Sequence, residues 1–300
     1  MLDSRDNSMQ AEGPGGVSFV TRFAPSPSGL LHRGHAFSAL TAFEAARAAG
    51  GRFVLRIEDI DAERCRPEFE QAIYEDLAWL GLGWEEPVLR QSGRLDAYRA
   101  ALERLRGRGL LYRCFRTRRD LIGEIARAPH GPEPAPFRGG PIAPEEERAH
   151  LERGDAYAWR LSLDAARAEL GKAWASVSFT EEDVEDPARS RRIQAEPERL
   201  GDVVLARKDL GVAYHLAVVV DDAAQDVSHV IRGEDLAEAA HLQVLLQKLL
   251  DLPTPRYRHH RLLLRPDGKR FAKRDTAETL RSLRAEGVTP PALRRQLGFS

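Results

Sequence analysis

The sequence predicts an α/β fold, an open parallel sheet flanked by helices and interrupted by an inserted α+β subdomain. Three observations predict it. An apolar run at residues 17–20, a Pro/Ser/Gly loop and an Ala-rich amphipathic stretch at 36–49 succeed one another as strand, loop and helix. A second apolar segment, Phe53-Val54-Leu55-Arg56-Ile57-Glu58, follows after a short Gly50-Gly51 join, so the two strands need a right-handed crossover and lie parallel. The pattern then lapses between residues 111 and 200 and returns from Gly201.

Taken in order, residues 18–23 read as the first strand and 36–49 as the first helix, stopped at Gly50-Gly51. Residues 53–58 form the second strand, which ends in Glu58-Asp59-Ile60-Asp61. Amphipathic helices are expected at 68–80 and 94–106. Residues 128–144 are rich in Pro and Gly, 145–153 read as a short helix, and 156–163 and 173–179 read as strands. An acidic cluster at 181–186 and a basic one at 189–192 follow. After residues 202–207, the near-continuous apolar run at 213–222 is expected as a strand buried on both faces. Residues 229–235 form another strand ending in charge, 237–250 a helix, and 265–275 a turn opening into a basic loop. The chain thus divides into a disordered lead-in (1–16), the first half of the parallel domain (17–110), the insertion (111–200), the second half (201–260), and a segment with the basic loop and a short helical stretch (261–300).

Composition is that of an ordinary globular protein: 42% hydrophobic and 30% charged, with a formal net charge of -1. That balance argues against a globally basic nucleic-acid binder but leaves room for a local basic face. Positive charge is mostly arginine; the lysines are Lys172, Lys208, Lys248, Lys269 and Lys273, the last two in the basic loop. Cys65 and Cys114 are too few for a disulfide framework, which points to a reducing cytoplasm. No apolar run approaches the ~20 residues needed to span a bilayer, and residues 1–16 lack a signal-peptide core.

Ligands of parallel sheets sit beyond the carboxyl ends of the strands. The loop at 22–35 and Glu58 both lie at such ends, so they are expected to face one crevice. His32 and His35 stand near a helix N-terminus, where unpaired N–H groups and the dipole favour an anion. A phosphate suits that place better than a hydride or a buried metal. A lone His pair at a helix start is more often structural, a basic turn like 269–274 is most often solvated, and Arg22 with Glu58 reads by itself as a salt bridge. Together the histidines and the basic loop bring cations from both ends of the chain, as attack at an α-phosphorus requires.

At these residues the sequence resembles a known family. Arg22-Phe23-Ala24-Pro25-Ser26-Pro27-Ser28-Gly29, continued by His32-Arg33-Gly34-His35, looks like the first signature of glutamate-specific class I aminoacyl-tRNA synthetases, with its HIGH-type tetrad. Arg56-Ile57-Glu58-Asp59-Ile60-Asp61, the block from Tyr214 to Asp222 and Ile231-Arg232-Gly233-Glu234-Asp235 match further blocks in order. Arg270-Phe271-Ala272-Lys273-Arg274 stands where a KMSKS-type loop belongs, although Arg33, Arg270 and Ala272 depart from the usual wording. The resemblance spans about residues 19–275 and implies a Rossmann-like class I aminoacyl-tRNA synthetase catalytic core, with an acceptor-binding-like insertion. It further implies glutamate activation with ATP and Mg²⁺. Arg22, Phe23, Ala24, Pro25, Ser26, Glu58, Tyr214 and Arg232 would bind glutamate; His32, Gly34, His35, Arg270 and Lys273 would bind ATP; His32, His35 and Lys273 would be catalytic.

Only 25 residues follow Asp275, too few for an anticodon-binding region of the kind that full-length members carry. In length and wording the chain resembles the core-only group of the family, the glutamyl-queuosine tRNA(Asp) synthetases. These attach glutamate to the queuosine base in the anticodon loop of tRNA(Asp) and activate glutamate without tRNA. The expected partners are therefore L-glutamate, ATP and the tRNA(Asp) anticodon stem-loop, for a monomer with no membrane association. That group usually holds a zinc in the insertion, but here Cys114-Phe115-Arg116 keeps one thiol and Phe137-Arg138-Gly139-Gly140 offers none, so no metal is expected. Two other readings stay open: glutamate activation for another acceptor (tRNA(Glu) with a helper protein, or a small molecule), and an inactive RNA-binding paralogue.

Overall fold

In the computed structural model, residues 18–116, 136–207, 211–263 and 279–299 are described. The expected lead-in, the Pro/Gly-rich stretch up to residue 135 and the basic loop with Arg270 and Lys273 lie outside them.

The first unit is β1 (Val20–Phe23), α1 (Arg33–Ala48), β2 (Arg52–Ile57), α2 (Pro67–Trp79) and β3 (Glu85–Arg90). All three strands pair parallel in the order β1-β2-β3, with Arg22 beside Val54 and Phe23 beside Leu55. Helix α1 starts three residues before the predicted position, because His32 caps it, and buries a stripe of small residues, Ala36, Ala39, Ala42 and Ala46, around Leu40. Small side chains let this helix lie close over the sheet. Its end is set by Gly50, whose φ of 60° suits a residue without a Cβ.

After α3 (Leu95–Gly107), the strands β4 (Leu111–Cys114), β5 (Ala158–Leu161), β8 (Val204–Arg207) and β9 (Gly211–Val212) form an antiparallel sheet. Helices α4 (Pro144–Glu152) and α5 (Leu163–Leu170) accompany it. Residues 173–179, expected as a strand, are divided. A 3-10 turn at Gly171–Ser176 follows Gly171, whose φ is 50°, and the strand β6 (Ser178–Glu182) begins only afterwards. The acidic and basic clusters then face each other across a hairpin of β6 and β7 (Ser190–Gln194): Glu181 pairs with Arg191, whose Nη2 donates to its carboxylate at 2.6 Å.

The largest correction concerns residues 213–222. They form not a strand but the helix α6 (Tyr214–Ala224). An apolar run of this length reads the same in a buried strand and in a helix packed on all sides. Here Leu216, Ala217, Val218 and Val219 are all buried, as are Asp221 and Asp222. Strands β10 (His229–Gly233) and β11 (Arg256–His260) pair parallel around the helix α7 (Ala237–Leu249), and β11 continues to β6 and β7. Ser228 brings β10 beside β1, since its N–H donates to Val20 O at 3.0 Å and its hydroxyl accepts from Val20 N at 2.8 Å. The chain winds outward in both directions from this β1/β10 seam, the kind of switch point at which ligands bind in parallel sheets. Sheet membership also crosses residue 200: β6 and β7 extend the parallel sheet, while β8 joins β4 and β5.

One core lies between the sheet and α1, α2, α8 (Leu280–Ala285) and α9 (Pro290–Gln296), around Leu31, Leu40, Leu55, Leu77, Leu280 and Leu293. The other lies on the side of α3, α6 and α7, around Tyr98, Leu105, Leu216, Val218, Leu245 and Tyr257.

Candidate active site

The loop after β1 is fixed by its backbone. Pro25 and Pro27 are buried and lack N–H donors, whereas Ala24 and Ser26 are half-buried. Pro25 O accepts from Glu58 N at 3.1 Å and Pro27 O from Arg66 N at 2.9 Å, joining this loop to the one after β2. Phe23 is a core residue beneath them.

Behind the loops lies a chain of buried charges. Asp222 Oδ1 accepts from Arg22 Nε at 3.1 Å and from Arg56 Nη1 at 2.8 Å. Arg56 also donates to Gln225 Oε1 at 3.0 Å and to Glu58 Oε1 at 3.3 Å. Arg56 is 0% exposed, Arg22 and Asp222 each 5%, so none could stay charged without its partners. Burial alone would push the Asp222 carboxyl up, but Arg22 and Arg56 outweigh it and hold the group below its usual range. Burial also raises Glu58; Arg56 and Arg22 pull it back and Asp222 adds to the rise, leaving it above the usual carboxylate range.

Arg232 lies near the end of β10, one residue beyond Ile231, whose carbonyl Arg22 Nη1 approaches at 3.5 Å. Its guanidinium donates to Gln243 Oε1 at 2.8 Å, Leu236 O at 3.0 Å and His259 Nε2 at 3.4 Å, and lies 5.4 Å over the Tyr257 ring. Burial and then the Arg232 charge push His259 down to about 4, so near neutral pH the ring is uncharged; with Nε2 accepting from Arg232, its Nδ1–H donates to Glu181, 2.9 Å away. Tyr214 and His215 open α6. His215 is likewise lowered to about 4, by burial and by Arg232, and its Nδ1 is buried without a partner among the described residues. Among these five residues, three guanidinium charges (Arg22, Arg56 and Arg232) against two carboxylates (Asp222 and Glu58) leave one positive charge, the neighbouring acids Asp221 and Glu181 being matched by Arg94 and Arg191.

The two histidines cap α1 reciprocally. His32 Nδ1 accepts from Gly34 N at 3.1 Å, and His35 Nδ1 accepts from His32 N at 3.2 Å. Their rings stack with centroids 3.7 Å apart. A nitrogen that accepts carries no proton, so this bonding puts the proton of each neutral ring on Nε2. Gly34 makes room for it: a Cβ there would lie 3.0 Å from the His32 ring. Arg33 leaves the cap and donates to Gln296 on α9 at 2.6 Å.

Arg270 and Lys273 lie outside the described residues, yet both flanks of their loop are held at this site. Leu262 N donates to Glu234 Oε1 at 3.2 Å, while Thr279 bridges to His32 and Leu280 N donates to Leu31 O at 2.8 Å.

Sequence reasoning missed Arg56 and Asp222, the partners of Glu58 and Arg22, and also Asp221, which is 0% exposed and accepts from Gln91, Arg94 and Tyr98. The signal was present in Asp221-Asp222 closing an apolar run, since adjacent buried acids need cations or donors. Reading the run as a strand put the two on opposite faces and hid it.

In the insertion, Cys114 is buried on β4. Phe115 stacks on His150 at 4.3 Å, and Arg113 lies 4.6 Å over Trp159 while donating to Glu147 at 2.7 Å. Arg116 and Arg160 both lie over Phe137, at 5.6 and 4.4 Å. Among the described residues no group of three His, Cys, Asp or Glu is placed to hold a metal ion, and no helix is long and apolar enough to cross a membrane.

Comparison with known proteins adds to this geometry. A family model described as tRNA synthetases class I (E and Q), catalytic domain, matches residues 18–299. The glutamyl-Q tRNA(Asp) synthetase of Rhodobacter capsulatus is 48% identical over 295 residues, covering 93% of this chain and 100% of the relative. Glutamate–tRNA ligase 2 of Dinoroseobacter shibae is 40% identical over 91% of this chain, but the match covers 59% of that protein. The crystal structure of glutamate-tRNA synthetase from Elizabethkingia anophelis superposes with a TM-score of 0.69 at 30% identity, over 86% of this chain and 53% of the other.

Proposed function

This chain belongs to the class I tRNA synthetases of the glutamate and glutamine group, and on that footing we propose that it activates L-glutamate with ATP, without tRNA, and passes the glutamyl group to the queuosine base in the anticodon loop of tRNA(Asp). The charge pattern carries the first half of this reading. Glutamate bears two carboxylates and one ammonium near pH 7, a net charge of -1, and the residues around Arg22, Arg56, Asp222, Glu58 and Arg232 leave a single positive charge. Arginine is the bidentate partner of a carboxylate, so Arg22 and Arg232 take the two carboxylates and Glu58 the ammonium. Ser26 and Tyr214 offer hydroxyls, and the backbone at Phe23, Ala24 and Pro25 forms the wall beside them.

The α-carboxylate of glutamate attacks the α-phosphorus of ATP. An O–P bond forms, the bond to the bridging oxygen breaks and pyrophosphate leaves. No protein nucleophile is needed, so catalysis consists of alignment and electrostatic stabilisation. The Nε2–H groups of His32 and His35 and the backbone at Gly34 meet the phosphates, at a helix N-terminus that favours them. Arg270 and Lys273 act on the pyrophosphate side, a role supported by the anchoring of both flanks of their loop. Mg²⁺ enters with ATP, carried mainly by phosphate oxygens, and neutralises part of their charge.

The acceptor assignment is supported by the Rhodobacter capsulatus relative, matched over its whole length. The reading includes a zinc-free insertion, supported by the single thiol at Cys114 and by the packing of Phe115 on His150, Arg113 on Trp159 and Arg116 on Phe137, and a monomeric, cytoplasmic enzyme. Exchange of labelled pyrophosphate into ATP, dependent on glutamate and measured without tRNA, tests the activation step; absence of exchange overturns it. Glutamylation of tRNA(Asp) with queuosine but not without it is the expected second result. Charging of tRNA(Glu) at its 3′ end would refute the acceptor.

A further inference from the structure

We propose that Asp222 and Arg56 are positioning residues for glutamate, Asp222 fixing the Arg22 guanidinium and Arg56 fixing the Glu58 carboxylate, through one buried chain Arg22–Asp222–Arg56–Glu58. The inference deepens the preceding reading and rests on it in one respect, the contact of Glu58 with the substrate ammonium.

Geometry separates these two residues from the ones that meet the ligand. Arg56 is 0% exposed and its guanidinium donates inward, to Asp222 at 2.8 Å, Gln225 at 3.0 Å and Glu58 at 3.3 Å. It can therefore influence glutamate only through Glu58 and Asp222. Asp222 engages Arg22 from the Nε side at 3.1 Å and the Ile231 carbonyl lies 3.5 Å from Nη1, which leaves Nη2 and the second Nη1–H for a carboxylate. The chain links three elements that reach the crevice separately, β1, β2 and α6. One carboxylate oxygen thus sets the distance between the cation that takes a carboxylate of the amino acid and the anion that takes its ammonium.

The two positioning residues carry opposite charges, so they act on Glu58 in opposite senses. The charged groups facing Glu58 are Arg56 from β2, Arg22 from β1 and Asp222 from α6. Loss of the Arg56 charge makes Glu58 harder to ionise, and loss of the Asp222 charge makes it easier. Because only ionised Glu58 attracts an ammonium, the acid limb of glutamate binding should move up in pH for Arg56→Gln and down for Asp222→Asn. Each displacement is expected to be roughly 1 pH unit, the effect of a charge at this range. Above the limb both variants should bind glutamate about tenfold more weakly, because a charged hydrogen bond has been removed. A merely structural role would weaken binding without displacing the two limbs in opposite directions.

Calorimetric titration of L-glutamate into the full chain, from about pH 5 to about pH 8, tests this with wild type, Asp222→Asn, Arg56→Gln and Glu58→Gln. Opposite displacement of the two limbs supports the proposal. Coincident limbs, or displacement in one direction, overturn it. Arg56 is deeply buried, so if its Gln variant does not fold, Asp222→Asn alone decides, with Arg56→Lys expected to keep the limb in place while losing affinity. Glu58→Gln distinguishes the two levels of the reading. Wild-type affinity in that variant overturns the ammonium assignment and this inference with it, whereas lost affinity beside an unmoved Asp222→Asn limb overturns the inference alone.

Discussion

His35 Nδ1 accepts the backbone N–H of His32 at 3.2 Å while the two rings stack 3.7 Å apart, so each histidine fixes the other's orientation. That bond and the one from Gly34 N to His32 Nδ1 help start α1, and together they put the proton of each neutral ring on Nε2. Structure and chemistry can be separated by substitution. His32→Ala should destabilise the protein by about 1 kcal/mol, the value of an N-cap. His32→Asn should keep the cap and most of that stability. Both should lower pyrophosphate exchange roughly 100-fold, as loss of a transition-state donor does. Full exchange in His32→Asn would show that the histidine is only a cap.

Lys273→Ala should lower exchange roughly 100-fold while leaving the affinity for glutamate, measured alone, unchanged. Wild-type exchange rates in that variant would remove Lys273 from the pyrophosphate side.

Asp76 on α2 is 1% exposed, and neither carboxylate oxygen has a partner among the described residues. Burial raises its pKa to about 6, against the pull of Arg284 and Arg281 from α8. A carboxyl raised on folding stabilises the fold fully below its unfolded value, and that contribution is lost as the pH rises through about 6. Asp76→Asn should therefore raise the melting temperature near pH 8 by roughly 1–3 °C and change little near pH 4. An equal shift at both pH values would contradict the assignment.

The insertion should hold its shape without zinc. Elemental analysis of the purified protein is expected to find zinc far below one per chain, and incubation with a chelator to leave the melting temperature unchanged. Stoichiometric zinc, or a fall in stability on chelation, would require ligands other than the Cys114 neighbourhood described above.

Most elements were legible because their residues carry local signals. The Gly50-Gly51 stop, the Pro-Ser-Pro-Ser-Gly loop and the alternation of apolar segments with helical stretches place β1, α1 and β2 within a few residues of where they lie. The same signals put Arg22, Glu58, His32 and His35 at strand and helix ends. Residues 213–222 were misread because burial on all sides erases the periodicity that distinguishes helix from strand.

Local backbone preference and hydrophobic period suffice to give the parallel α/β plan, the motif order and the residue types that meet an anion. Which charges stand together is a matter of long-range packing. Arg22 and Asp222 are 200 positions apart and Arg56 and Asp222 are 166, and no local rule relates them. They meet because ionised groups buried at the β1/β10 seam must find opposite charges there, and the packing of α6 against that seam supplies the Asp222 carboxylate.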